Sequence, residues 1–260
     1  LLRACGIRCE PKTPAECVAV EPALTNAQLR LVGGIHTPDD ESGDTCLFTR
    51  ELAAMCAQRG VRFRFCETVE RIVVEAGQIA GVTVSGPGRN GGDWLTADRY
   101  IVALGAYAVP LLDEIGITIP VYPVKGYSVT LAIAAPGTAP TMSLTDEERK
   151  LVFSRLGKRL RVAGTAELAG YNTRIDAPRC AAILDRVFAL FPHAGDRAQA
   201  EMWAGLRPAT PGNVPLIGAT RYPNLSLNTG HGTLGWTLAC GSGAALADIV
   251  PSIQRPREYH

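Results

Sequence analysis

The sequence has no excess of either charge: 26 Lys and Arg stand against 25 Asp and Glu, a net charge of +1 over 260 residues. It contains no run of Lys and Arg that would track a phosphate backbone, so no nucleic-acid partner is expected, and no acidic excess that would point to disorder. Long apolar runs are also missing. The longest, residues 101–112, is broken by Gly105 and Pro110 and closed by Asp113 and Glu114. A spanning helix takes roughly 20 apolar residues, so no transmembrane span is expected. No charged-then-apolar opening with a small-residue cleavage site marks a secretory signal. The eight cysteines (Cys5, Cys9, Cys17, Cys46, Cys56, Cys66, Cys180 and Cys240) include no Cys-x-x-Cys pair, and the four histidines show no metal-ligand spacing. Reduced thiols are therefore expected rather than disulfides, and no structural zinc or other metal site.

What is present is a hydrophobic fraction of 47%, enough for a sizeable core in one large domain or two small ones. The sequence opens at Leu1, without Met, in what reads as the middle of a domain, so a fragment of a longer chain is expected. Thr13-Pro14-Ala15-Glu16 reads as a helix start, with Thr13 as cap and Glu16 three residues on. Residues 47–59 read as an amphipathic helix stopped by Gly60, with Leu47, Phe48, Leu52, Met55 and Cys56 at helical spacing. Strict alternation over residues 61–65 predicts a half-buried strand. Residues 69–74, 79–84 and 94–97 predict a three-stranded meander, interrupted by Gly77 and by the loop 86–92. The apolar run 100–104 predicts a strand buried on both faces, followed by a helix over 106–114. Long antiparallel strands are predicted over 121–133, 150–154 and 160–163, a helix over 177–191, a short strand over 225–228 and a final helix over 233–249. The order is interleaved. Residues 1–36 and 115–205 suggest an antiparallel sheet, whereas 37–114 and 206–260 suggest strand–helix units, and a cleft is expected where such layers join.

Three segments carry chemistry. The first is Asn228-Thr229-Gly230-His231-Gly232-Thr233-Leu234-Gly235-Trp236, between a strand and a helix. Gly230 and Gly232 permit backbone angles and close approaches that other residues avoid. The helix start offers unpaired N–H groups and a partial positive charge to an anionic edge. Gly241 and Gly243 are small positions that let this helix pack tightly. The alternative is a glycine-rich loop that only caps a helix, with His231 satisfied by the backbone. The second is residues 101–107, a strand ending in a glycine turn that brings backbone N–H groups at Gly105 and Ala106 to a ligand, or an ordinary strand–turn–helix. The third is Gly205-Leu206-Arg207-Pro208. The planar fork of Arg207 matches a carboxylate; the alternative is an arginine snorkelling from a strand edge. Lys125 either faces a cleft or is a solvated strand lysine, and Tyr127, Tyr171 and Trp236 either line a pocket or pack in a core.

Taken with residues 43–50 (Gly43-Asp44-Thr45-Cys46-Leu47-Phe48-Thr49-Arg50), 122–128 (Tyr122-Pro123-Val124-Lys125-Gly126-Tyr127-Ser128) and 205–211, these segments resemble the D-amino-acid oxidase-like flavoprotein superfamily and, within it, the D-amino-acid dehydrogenase small subunits. The resemblance runs through nearly the whole chain. It implies an α/β plus α+β fold: a Rossmann-like FAD-binding domain, incomplete here, with an interleaved antiparallel-sheet substrate domain. It implies FAD as cofactor, with Gly105, Ala106, Gly230, His231, Gly232, Thr233 and Leu234 on the flavin. It implies Arg207 as the carboxylate clamp, with Lys125 and Tyr127 also on the substrate. The implied reaction is oxidative deamination of D-amino acids to 2-oxo acids and ammonia by hydride transfer from Cα to flavin N5, with a respiratory electron acceptor. The implied location is cytoplasmic, at the inner face of the membrane. The family opens with a strand, a Gly-x-Gly-x-x-Gly turn and a helix, then an acidic residue; this chain has no such opening unit. Weak FAD binding, an inactive fragment and a homo-oligomer through a bare sheet edge are therefore expected. A glycine- or sarcosine-oxidase-like enzyme and an inert folding or interaction unit are the competing readings.

Overall fold

The structure is a computed structural model and describes residues 6–87 and 92–250. Cys5 and most of the expected 86–92 loop lie outside the described residues. In chain order the elements are β1 (Glu10–Lys12), α1 (Pro14–Val20), a 3-10 stretch (Pro22–Arg30), β2 (Gly34–His36), α2 (Thr45–Gln58), β3 (Thr68–Glu75), β4 (Gln78–Ser85), β5 (Asp93–Leu95) and β6 (Tyr100–Val102). A 3-10 turn (Gly105–Tyr107), α3 (Ala108–Asp113), β7 (Tyr122–Ala132), β8 (Leu144–Asp146), β9 (Leu151–Leu156), β10 (Arg159–Leu168) and α4 (Ala177–Leu190) follow. The chain closes with β11 (Glu201–Ala209), β12 (Leu216–Ala219), β13 (Leu225–Thr229) and α5 (Gly235–Ile249). These elements form two compact units. The first takes Leu1–Leu52, Lys125–Glu167 and Asn172–Gly205; the second takes Ala53–Val124, Leu168–Tyr171 and Leu206–His260. The α/β plus α+β expectation holds.

The first unit is built on a sheet of order β11-β7-β10-β9-β8, with β8, β9 and β10 paired antiparallel. Asp176 caps α4 by accepting the Arg179 N–H, and Pro178 sits in the first turn, where its missing N–H costs nothing. Cys180, Ile183, Leu184, Val187 and Leu190 then recur on one buried face. They pack with Tyr127, Val129 and Leu131 of β7, Phe153 of β9 and Leu160 and Val162 of β10. Burying each of the larger aliphatic side chains contributes about 1.5–3 kcal/mol. The expected start at Thr13 is realised as a capping box, with Thr13 and Glu16 each satisfying the other's backbone. Glu21, buried at the end of α1, accepts from the N–H of Ala23, the N–H and hydroxyl of Thr141 and the N–H of Met142. It thereby ties the helix end to the 139–143 loop.

The second unit contains the expected meander, β3-β4-β5, all antiparallel. The β3–β4 hairpin turns on Ala76 and Gly77, both at positive φ (48° and 77°), as a two-residue turn of this hand requires. A second sheet has order β12-β13-β6, with β13 antiparallel to β12 and parallel to β6. Asn224 joins the two sheets: its side chain exchanges hydrogen bonds of 2.9 Å with the backbone of Ile79, and its carbonyl accepts the Tyr100 N–H. Ile72, Ile79, Val102, Leu111, Leu112, Leu225 and Leu227 form this unit's core.

Three expectations fail and one expected helix forms without cover over its apolar stripe, and the four share a cause. Residues 61–65 form no strand; they are exposed, and the rings of Phe63 and Phe65 stack on each other at 5.5 Å. Helix α2 forms, but Leu47, Phe48, Leu52 and Met55 on its apolar stripe are exposed and none of its residues is buried. Strand β6 is not buried on both faces, since Ile101 is 49% exposed. A side chain added at Gly241 or Gly243 would meet nothing within 4 Å, so neither glycine is required by packing among the described residues. In each case the pattern in the sequence is sound, but no partner element among the described residues covers it. A strand is stabilised only when another backbone takes its hydrogen bonds.

Candidate functional site

The three segments singled out in the sequence meet within the second unit. Three residues after the end of β6, Gly105, at φ +57°, turns the chain into the short 3-10 turn before α3. The Gly105 carbonyl accepts the Thr229 hydroxyl at 2.9 Å. This bond joins the strand ends of β6 and β13, which lie side by side in parallel register. The segment after Arg207 is drawn in as well. A Cβ at Gly105 would lie 3.8 Å from the Pro208 ring, and the Pro208 carbonyl accepts the Gly232 N–H at 2.9 Å. Thr210, buried, donates its hydroxyl to Val214 O at 2.8 Å, with the Gly230 carbonyl at 3.4 Å. Gly105, Pro208, Thr210, Thr229, Gly230 and Gly232 therefore form one hydrogen-bonded and packed framework.

Both turn glycines are required. Gly230 (φ +80°) has Thr210 Cγ2 2.7 Å from where a Cβ would stand, and Gly232 (φ +52°) has Asn213 Oδ1 at 2.9 Å. His231 between them points its Nε2 to the Ser242 hydroxyl at 2.9 Å, and burial pulls its pKa below the ordinary histidine value. Thr233 and Leu234 are exposed. Leu234 caps α5 without any side-chain hydrogen bond to the first turn, so the positive end of the helix is not neutralised by its own sequence. Ala106 is buried, and its carbonyl accepts the Tyr171 hydroxyl at 3.0 Å. The rings of Tyr107 and Tyr171 lie 5.6 Å apart. Arg207 is half-buried, and desolvation pulls its pKa down from the ordinary arginine value, though a guanidinium stays charged. Trp236 is 42% exposed. Close to the end of β11, an open groove of about 490 Å3 is lined by Val121, Tyr122, Val124, Leu168, Ala209 and Thr210. With no charged side chain in that lining, it suits an apolar or aromatic surface better than a phosphate.

Lys125 and Tyr127 belong to the first unit. Each is 2% exposed or less, so Lys125 is not a solvated strand lysine. The Tyr127 hydroxyl donates to Glu167, Lys125 Nζ stands 3.4 Å from the same carboxylate and 5.1 Å from the centre of the Tyr127 ring, and Arg179 Nε is at 3.8 Å. The Tyr127 hydrogen bond and the Lys125 charge hold the Glu167 carboxyl below the ordinary value; the bonds to Tyr127 and Glu167 push Lys125 up. Glu167 reaches this face because Thr165 adopts φ +59°. Up to that point Leu160 and Val162 face the core at even positions, and an irregularity at Thr165 moves the odd-numbered Glu167 onto the same side.

Glu167 and Ser242 were not among the sequence candidates, and Thr210 and Thr229 lay within quoted segments without a role of their own. Glu167 carried no signal, since strict alternation places it on the other face. The turn carried one that was passed over: residues 230–235 spell Gly-x-Gly-x-x-Gly between a strand and a helix, the spacing of a dinucleotide turn. In the folded chain the Gly232 N–H is already given to Pro208, so this turn does not present its second glycine amide to a pyrophosphate.

The chain matches the family described as FAD dependent oxidoreductase over residues 1–249. It is 53% identical over 256 residues to a D-amino acid dehydrogenase of Dechloromonas aromatica (strain RCB), covering 98% of this chain and 61% of that protein. It is 48% identical over 260 residues to a D-amino acid dehydrogenase of Granulibacter bethesdensis (strain ATCC BAA-1260 / CGDNIH1), covering 100% of this chain and 60% of that protein. Among solved structures it is similar to glycine oxidase from Geobacillus kaustophilus, with a TM-score of 0.79 and 25% identity over 95% of this chain and 64% of that one. The chain thus spans about three-fifths of the length of these curated relatives.

Proposed function

Because the chain belongs to the FAD dependent oxidoreductase family, we propose that it forms the larger part of an enzyme that deaminates D-amino acids oxidatively to 2-oxo acids and ammonia. The observation that carries this reading is the bonding of Gly105, Pro208, Thr210, Thr229 and Gly232 into one framework beside Arg207. Relatives with 48–53% identity bear the name D-amino acid dehydrogenase.

The residues of this framework fit the ring end of FAD. Gly230 and Gly232 stand at positive φ, and a side chain at Gly230 would meet the buried Thr210; α5 begins without a side-chain cap. Gly230, His231, Gly232, Thr233 and Leu234 would line the pyrimidine edge, where the helix start favours negative charge, and Gly105 and Ala106 would bring backbone close to the ring. When bound, FAD supplies the acceptor for the hydride that leaves the substrate Cα. Arg207 holds the substrate carboxylate by paired charge-assisted hydrogen bonds and so fixes which Cα–H faces the ring. Lys125 and Tyr127 are each 2% exposed or less and held by Glu167, so neither offers a substrate a surface to touch among the described residues. Residues 37–114 and, apart from Arg207, 206–260 serve the flavin, and residues 1–36 and 115–205 the substrate. The acceptor is a respiratory one, reached at the inner face of the cytoplasmic membrane; no helix among the described residues is long and apolar enough to cross it. A homo-oligomer through the outer edge of β6, the end strand of the β12-β13-β6 sheet among the described residues, belongs to the same reading and is checked by sedimentation.

The test uses the polypeptide at the length of its relatives, purified with FAD. Anaerobic addition of D-amino acids should bleach the flavin, L-isomers should not, and quinone acceptors should restore the colour faster than oxygen. Failure of every D-amino acid to bleach it overturns the assignment. The likeness to glycine oxidase favours one alternative, an amine oxidase of the glycine or sarcosine type, which predicts faster reoxidation by oxygen.

A further inference from the structure

The turn at residues 230–232 contains two glycines, whose backbones are the least restrained in the chain, so something outside the turn has to fix its shape. Two of its contacts come from the segment after Arg207: Pro208 accepts the Gly232 N–H, and Thr210 approaches the Gly230 carbonyl. The third comes from α5. His231 Nε2 lies 2.9 Å from the hydroxyl of Ser242, seven residues and two turns into the helix. The His231 Cβ stands 3.5 Å from where a side chain at Gly235 would begin, so the imidazole lies alongside the first turns of α5 and not beyond its tip. Ser242 is 5% exposed on a helix whose described residues are mostly exposed, Leu246 being the other buried one.

Building on the flavin reading above, we propose that Ser242 is a positioning residue. Acting through His231, it locks the turn against α5 in the shape that receives the cofactor's ring edge. With Nε2 engaged, the imidazole acts as a strut and carries no proton in the reaction.

A double-mutant cycle in the polypeptide at the length of its relatives tests this. Ser242→Ala and His231→Ala should each weaken FAD binding by about tenfold, the equivalent of one hydrogen bond. The double variant should be no weaker than His231→Ala alone, because once His231 is gone Ser242 has no link left to lose. Ser242→Thr, which keeps the hydroxyl, should restore binding and the flavin absorption bands. In the 260-residue chain, imidazole nitrogen shifts of His231 should change on Ser242→Ala and return on Ser242→Thr, which reads the link without any cofactor. Additive losses in the double variant, or unchanged FAD affinity and imidazole shifts in Ser242→Ala, overturn the proposal while leaving the flavin assignment intact. If the unmutated polypeptide takes up no FAD, the flavin assignment falls and the proposal falls with it.

Discussion

Gly230→Ala measures how tightly the turn is built. At φ +80° an L-residue costs about 1–2 kcal/mol more than glycine from the left-handed backbone alone. The added methyl would also stand 2.7 Å from Thr210 Cγ2, and relieving such overpacking costs about 1–3 kcal/mol more. The sum is about 2–5 kcal/mol. The internal control is Gly77→Ala in the same unit, at φ +77° with nothing within 4 Å, which carries only the backbone cost of about 1–2 kcal/mol. Both substitutions stiffen the unfolded chain equally, so that effect cancels in the comparison. Urea unfolding followed by tryptophan fluorescence and circular dichroism gives the two losses. Moving Thr210 also disturbs its bonds to Val214 and Gly230, so Gly230→Ala should lose FAD affinity in the relatives-length polypeptide and Gly77→Ala should not. Equal destabilisation by the two substitutions would refute the claim that Thr210 and Gly230 constrain each other.

Arg207→Ala should lower kcat/KM for D-amino acids by an amount equivalent to about 2–5 kcal/mol, the loss of a desolvated charge pair; steady-state kinetics showing an unchanged value would remove Arg207 from the carboxylate. Gly232→Val should displace the flavin, since the φ of +52° at Gly232 is one that a β-branched residue avoids; normal flavin content after purification counts against the assigned turn. Glu21→Ala leaves the Ala23, Thr141 and Met142 N–H groups without their acceptor and should cost about 1–3 kcal/mol of unfolding free energy for each of these donors that stays buried, read by urea titration. Glu167 has a lowered pKa in the folded chain, so its stabilisation is present above the ordinary glutamate value of about 4.3 and is lost as pH falls through the folded value. Lys125 has a raised one, so its contribution is present below about 10.4 and is lost as pH rises through the folded value. Denaturation across pH should show both limbs, and Glu167→Gln should flatten the acid one.

The local grammar of the chain was legible. The capping box at Thr13, the hairpin at Gly77, the face of α4 and the glycines of the 230–232 turn all follow from backbone sterics and helical spacing, which neighbouring residues settle among themselves. The motifs around Arg207, Gly105 and Gly230 were legible too, because each needs residue types with few substitutes. Their meeting was not, since the bonds from Thr229 to Gly105 and from Gly232 to Pro208 span about 124 and 24 residues of sequence and are made by a hydroxyl and backbone groups that many residues carry. Glu167 was hidden for another reason: alternation assigns it to one face, and the single left-handed residue Thr165 sends it to the other. The exposed stripe of α2 and the unpaired segment at residues 61–65 mark the opposite case. There the sequence states a preference for burial or pairing, and only tertiary structure decides whether an element exists to satisfy it, because a strand's hydrogen bonds and a helix's apolar face are completed by something other than themselves.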